Sequence, residues 1–289
     1  MSESTDHAIT AVTEDGAFRV IALRTTETVR ECLRTQTGER PIDDRSARDL
    51  ADVVTGTVLV RLTMAPSLRV QGIVRGAGGR GTLVGDSHPS GDTRCLMHRP
   101  GGLERVSLEQ GALMQMMRTM PTGAVHQGVV EVPDESVSDA VMSYLSSSEQ
   151  ITSVAMVASE VADGEVKGAG GYIVQLLPEV SRAPLAVMTE RLDADFTDAA
   201  VVLAHLAKGP AELVAEILYR MPYAQTQHAE LRFGCQCSSV RVLSSLSTLS
   251  REEIRELMDT TDPLHITCDY CGQVYEMSPK ALEGLLEQS

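Results

Sequence analysis

The sequence predicts an α+β protein: a mainly antiparallel sheet core with interspersed helices, a helical linker, and a small C-terminal module built on four cysteines. Three observations point there. Pairs of apolar, strand-like runs recur around tight turn signals such as Asp15-Gly16 and Asp163-Gly164, the mark of hairpins rather than of a parallel sheet. After Pro178 that pattern gives way to apolar stripes at helical spacing, cut by Gly209-Pro210 and Pro222. Near the C-terminus four of the six cysteines fall into two tight clusters, Cys235-Gln-Cys237 and Cys268-Asp-Tyr-Cys271, separated by residues 238–267.

Taken in order, Ala8–Val12 and Phe18–Leu23 flank the first turn as a hairpin. Thr26 is placed to cap a helix through about Gln36, with Val29, Cys32 and Leu33 on one stripe. Asp43 or Asp44 opens a second helix, through Leu50, Val53, Val54 and Leu62, apolar enough in its second half to be central. Leu68–Val74 and Thr82–Val84 alternate as half-buried strands around Gly76-Ala-Gly78-Gly79-Arg-Gly81. That loop spells the dinucleotide fingerprint, but no helix N-terminus follows to receive a pyrophosphate, so it reads as a hairpin loop. Asp86-Ser-His88 and Cys95-Leu-Met-His98 offer acid, hydroxyl, thiol and imidazole, yet without a nucleophile elbow, and are expected in a surface loop.

Leu113–Met120 and Val125–Val132 form a second hairpin, and Ser136 caps a helix bearing Val137, Val141, Met142 and Leu145. Ile151–Val161 and Val166–Leu177 form a third. From Leu185 to about Arg220 the chain reads as short helices, with Leu213, Val214, Ile217, Leu218 and Met221 as an apolar stripe. Ser250 with Glu253 is a capping box between the cysteine clusters, and His265–Thr267 with Gln273–Met277 form a hairpin around the second cluster.

Composition narrows the function classes. With 43% hydrophobic residues in 289, the chain can bury a full core and divide into domains. Net charge is −15, and the last segment, Gly234 to Ser289, carries four Lys/Arg against nine Asp/Glu. Such a field repels phosphate backbones, which argues against nucleic acid and against a zinc-ribbon regulator of transcription. No run approaches the roughly 20 apolar residues that span a bilayer, and no secretory signal is evident, so no membrane partner and a cytoplasmic location are expected. In a reducing compartment clustered cysteines bind metal more often than they pair.

The Cys-x-Cys and Cys-x-x-Cys knuckles match the donor set of one tetrahedral Zn²⁺ per chain, held by Cys235, Cys237, Cys268 and Cys271. His228 and His265 lie near the knuckles as spare ligands, while Cys32 and Cys95 read as packing or surface residues. Two further readings stand beside a regulatory site: a purely structural zinc, and a thiol-disulfide oxidoreductase using Cys268 and Cys271. The second is weakened because that motif sits between strands, not at a helix N-terminus.

The whole chain, from about residue 8 to 285, resembles the redox-regulated heat-shock holdase chaperones of bacteria, the 33 kDa chaperonin family. The resemblance rests on the two knuckles at their long separation, and on Tyr144-Leu-Ser-Ser-Ser-Glu149-Gln150 and Gly170-Gly171-Tyr-Ile-Val-Gln175-Leu-Leu-Pro178 upstream. It departs from the family after the first knuckle, where Ser238-Ser239-Val240-Arg241 is mostly uncharged. The resemblance implies a client-binding and dimerisation core over 1–180, a metastable helical linker over 181–233 and a zinc redox switch over 234–289. It also implies a non-enzymatic, ATP-independent stress-response chaperone, inactive when reduced and zinc-bound. Oxidation would pair Cys235 with Cys237 and Cys268 with Cys271, release zinc, loosen the linker and expose apolar surface to unfolded client proteins, with a homodimer as the oxidised form. Leu213, Val214, Ile217, Leu218 and Met221 are then candidates for client contact. No G-x-x-x-x-G-K-[ST] motif is present.

Overall fold

A computed structural model describes residues 6–36, 41–178, 182–260 and 263–288. The chain divides into a large unit ending at Gly234 and a small one starting at Cys235. The large unit holds a five-stranded and a six-stranded sheet, and the small unit a two-stranded one.

In the large unit β1 (His7–Thr13) and β2 (Phe18–Arg24) form the first hairpin, followed by α1 (Thr26–Gln36) and α2 (Asp44–Thr63). Asp43 caps α2, its carboxylate accepting from the Ser46 amide. β3 (Arg69–Arg75) and β4 (Thr82–Ser87) enclose the glycine-rich loop as an antiparallel hairpin, as the missing helix predicted. β5 (Asp92–His98), β6 (Leu113–Thr119) and β7 (Val125–Glu131) complete most of the second sheet. Ser136 caps α3 (Val137–Ser147), and β8 (Ser153–Ala162) pairs with β9 (Glu165–Leu176).

The expected surface loop over 86–98 is instead part of the six-stranded sheet, and its chemistry is internal. Asp86 is wholly buried; Arg69 donates to both its oxygens (2.7 Å each) and Arg94 to one (2.8 Å). Burial alone would raise this carboxyl, but hydrogen bonds from His88 and Arg69 and the guanidinium charges hold it well below the usual range. The Ser87 hydroxyl accepts from Arg61 Nε (2.9 Å) and contacts Thr93 Oγ1 (3.1 Å), so it is engaged in structure.

α2 lies between the two sheets and is buried over most of its length. The six-stranded sheet approaches it closely because it presents glycines: a Cβ at Gly72 would sit 2.2 Å from Thr57 Oγ1, and one at Gly85 2.7 Å from the same atom. Within this layer Asp52 hydrogen-bonds the Ser159 hydroxyl (2.6 Å), and burial pushes its carboxyl up to about 7. A raised carboxyl means the folded chain retains a proton that the unfolded chain releases. Its stabilising contribution is therefore full below about pH 4 and lost as pH rises through 7. Asp52→Asn is expected to flatten that slope and stabilise the protein by about 1 kcal/mol above pH 7, after discounting for partial solvent screening, read from urea midpoints across pH.

The five-stranded sheet is covered on both faces, which is why β2 and β9 read as nearly continuous apolar runs. Ile21, Leu23 and Ile173 face α2; Ile9, Phe18, Val20, Ala22, Tyr172 and Val174 face the other way. Over that second face lie α4 (Arg182–Asp195), α5 (Ala199–Lys208) and α6 (Pro210–Ile217). Leu213, Val214, Ile217 and Leu218 are buried there, and Met221 packs at the edge. Tyr172 donates to the Phe196 carbonyl (3.0 Å), tying the helices to the sheet, and Arg191 donates to the Ile217 carbonyl (2.6 Å), tying α4 to α6.

Tyr223–Glu230, beyond the helices expected to end at about Arg220, forms β10, an edge strand antiparallel to β1. β11 (Arg232–Phe233) then pairs parallel to β5. The expected domain boundary at 180/181 lies outside the described residues.

Candidate metal centre

The small unit is short of core. Ile254, Met277 and Leu282 are its buried apolar side chains, ringed by partly buried residues such as Val242, Leu243, Leu246 and Ile266. They are carried on α7 (Ser239–Leu246), α8 (Arg251–Thr260), β12 (Leu264–Thr267), β13 (Val274–Met277) and α9 (Pro279–Gln288). The capping box at α8 is formed, Glu253 Oε2 accepting from the Ser250 amide (2.8 Å) and Ser250 Oγ from the Glu253 amide (3.3 Å).

Cys235 and Cys237 stand just before α7, whose cap Ser238 accepts from the Arg241 amide. The Arg241 guanidinium reaches back to the Gln236 carbonyl (2.8 Å), bracing the knuckle from within the helix. The second knuckle is a tight turn: the Cys268 carbonyl accepts from the amides of Cys271 (3.3 Å) and Gly272 (2.8 Å), and the Cys268 amide donates to the Gln273 carbonyl (2.9 Å). Gly272 turns the chain at φ +72°, where a side chain would be strained. β12 and β13 then close as the expected hairpin, Thr267 opposite Val274.

These local structures bring all four thiols together, with every Sγ within 4.8 Å of the others. Across the knuckles Cys235 Sγ lies 3.8 Å from Cys268 Sγ, and Cys237 Sγ 3.4 Å from Cys271 Sγ. A tetrahedral Zn²⁺ with Zn–S bonds of about 2.3 Å requires sulfurs roughly 3.8 Å apart, so the donor set can hold such an ion. His228 is elsewhere, stacked on His7 with ring centroids 5.1 Å apart, and His265 pairs across the hairpin with Glu276. Among the described residues these four cysteines are the cluster able to ligate a metal.

The thiols are electrostatically unequal. Burial would push Cys237 up, but hydrogen bonds from Tyr275, Cys271, Cys235 and Cys268 outweigh it and bring it down to about 7. Burial pushes Cys268 up, and pushes Cys271 far up. The Tyr275 hydroxyl donates to Cys237 Sγ at 3.0 Å, a contact that sequence spacing alone could not reveal. Such an outer contact orients a metal ligand and stabilises its thiolate. Tyr275→Phe is expected to weaken Zn²⁺ binding by about tenfold, measured by competition with a chromogenic chelator under reducing conditions.

Residues 6–278 match the family described as Hsp33 protein. The 33 kDa chaperonin of Syntrophotalea carbinolica is 27% identical over 291 residues, covering 97% of this chain and 99% of that protein. That of Bacillus subtilis is 25% identical over 297 residues, covering 98% and 99%. The crystal structure of the 33 kDa chaperonin from Thermotoga maritima, a heat shock protein 33 homologue, superposes with a TM-score of 0.81 at 18% identity, covering 99% of each chain. At that identity the likeness speaks to the fold.

Proposed function

The chain belongs to the Hsp33 family, and from that premise we propose that it is a redox-regulated, ATP-independent holdase, a cytoplasmic chaperone rather than an enzyme. The observation that carries the reading is the four-thiol cluster, set in a unit with so few buried apolar side chains. In the reduced state Cys235, Cys237, Cys268 and Cys271 hold one Zn²⁺, which would supply a cross-link between segments more than thirty residues apart.

For each disulfide the oxidant takes two electrons from two thiolates. Hypochlorous acid, with one proton from solvent, leaves as chloride and water; peroxide, with two protons from solvent, leaves as two waters. Pairing Cys235 with Cys237 and Cys268 with Cys271 exchanges a long-range tie for two very short loops, which restrict the unfolded chain little. The unit 234–289 then loses its fold. The helices α4–α6, within the metastable linker that this reading places over 181–233, loosen and uncover the apolar face bearing Ile9, Phe18, Val20 and Tyr172. Unfolded clients bind that face and the stripe Leu213, Val214, Ile217, Leu218 and Met221, above the core 1–180, through which the oxidised chain dimerises. The strong negative charge keeps loaded complexes soluble.

The test is light scattering from a heat-aggregating client, with protein kept reduced or treated with peroxide at raised temperature. Oxidation is expected to release zinc to a chelator and suppress aggregation. Equal suppression by both forms would sink the redox reading, and zinc retention with flat activity would make the site purely structural.

A further inference from the structure

Cys32 and Cys95, the two cysteines outside the metal cluster, meet in the core. Cys32 lies on α1 and Cys95 on β5, both with no exposed surface and both in one apolar cluster with Val29, Leu33 and Leu83. The Cys32 thiol is close enough to Cys95 to add to burial in pushing the Cys95 thiol up. The contact belongs to a seam: one turn beyond Cys32, Gln36 Oε1 accepts from the amide of Met97, which lies two residues beyond Cys95 (3.0 Å). Residues i and i+4 share a helix face and residues i and i+2 a strand face, so both links hold the same two surfaces together.

We propose that Cys32 and Cys95 are a second oxidisable dithiol, a core site that closes to an α1–β5 disulfide when a two-electron oxidant reaches it during thermal opening of the seam. Both groups are thiols in the resting chain. Burial pushes Cys95 up, so it is protonated and slow to react while the seam is shut. Once the seam opens, one sulfur takes the oxidant's electrophilic chlorine or oxygen and its neighbour displaces chloride or water. In sum two thiols and one hypochlorous acid give one disulfide, one water, one chloride and one proton. The neighbour's proximity favours this bond over further oxidation to sulfinic acid. The bond would close a loop through α2, β3 and β4, and a loop that long constrains the unfolded chain far more than the short loops within the knuckles. The core would be braced by the oxidant that dismantles the small unit. This site stands independently of the metal reading.

The test treats the full-length, zinc-loaded protein with hypochlorous acid or peroxide at ambient and at raised temperature. Free thiols are then capped with a maleimide, and tryptic peptides are mapped without reduction. The expected result at raised temperature is a linked pair, the peptide 31–34 joined to the peptide 95–105, with loss of both maleimide adducts; at ambient temperature both adducts persist. Recovery of both adducts after heat and oxidant, or of separate sulfonic acids, would overturn the proposal. The same digest reports the knuckle cysteines separately, so failure at one site is distinguishable from failure at the other. As a second readout, the oxidised core is expected to melt several degrees higher than the reduced core, and Cys32→Ala is expected to abolish that shift. No shift in the wild type would count against the bond's bracing role.

Discussion

Replacing Cys271 with serine, or stripping metal with a chelator under reducing conditions, is expected to unfold residues 235–289 while leaving the two sheets of the large unit folded. The small unit has Ile254, Met277 and Leu282 as its buried apolar side chains, too little to offset the ordering of its helices and hairpin. A structural Zn²⁺ contributes on the order of 10–16 kcal/mol in small domains, comparable to the whole stability of an ordinary fold. The sheets of the large unit pack around α2 on an extensive apolar cluster of their own. Limited proteolysis should remove the segment beyond Gly234 and open cuts within α4–α6, with part of the far-ultraviolet helical signal lost. Unchanged protease resistance in the metal-free protein would show that the tail holds itself together.

The second large effect is expected at α6. Ile217 has no exposed surface and packs with Leu213 and Val214 on the outward face of the five-stranded sheet. Ile217→Asp would bury a carboxylate with no partner, at a cost of roughly 3–5 kcal/mol unless the helix leaves. Detachment is the cheaper course, since the helices are held to this face through the apolar cluster that the carboxylate would disrupt. The variant should bind a hydrophobic dye and suppress client aggregation while fully reduced, with its zinc content unchanged. Val187→Asp, at a side chain 48% exposed, is the control and should stay inactive. Dye binding without chaperone activity would separate the uncovered face from the client site.

Much of this arrangement was legible in the chain because it is encoded locally. Turn dipeptides mark the β1–β2 and β8–β9 hairpins, Asp43 and Ser136 cap their helices, and the four metal-centre cysteines announce themselves by spacing. What escaped is non-local. β10 reads Tyr-Ala-Gln-Thr-Gln-His-Ala-Glu, polar and largely exposed, and its pairing with β1 spans most of the sequence, as in His7 opposite Glu230. No window-based pattern carries that information. The stretch 86–98 reads as a surface loop because its polar residues hide a strand whose alternate residues, Thr93 and Cys95, point inward. The Tyr275–Cys237 contact likewise depends on the hairpin bringing β13 back over the first knuckle.

The pairing of β10 with β1 has a mechanical consequence for the helices between β9 and β10. Both ends of that stretch are stitched into the same sheet, at Leu176 through β9 and at Tyr223 through β10. If α4–α6 melt, they do so as a bight of rope made fast at two cleats rather than as a loose end. The slack can wander only a short way, so the helices re-dock at high local concentration once the stress has passed. A surface bared in this way can be covered again without synthesis of new protein.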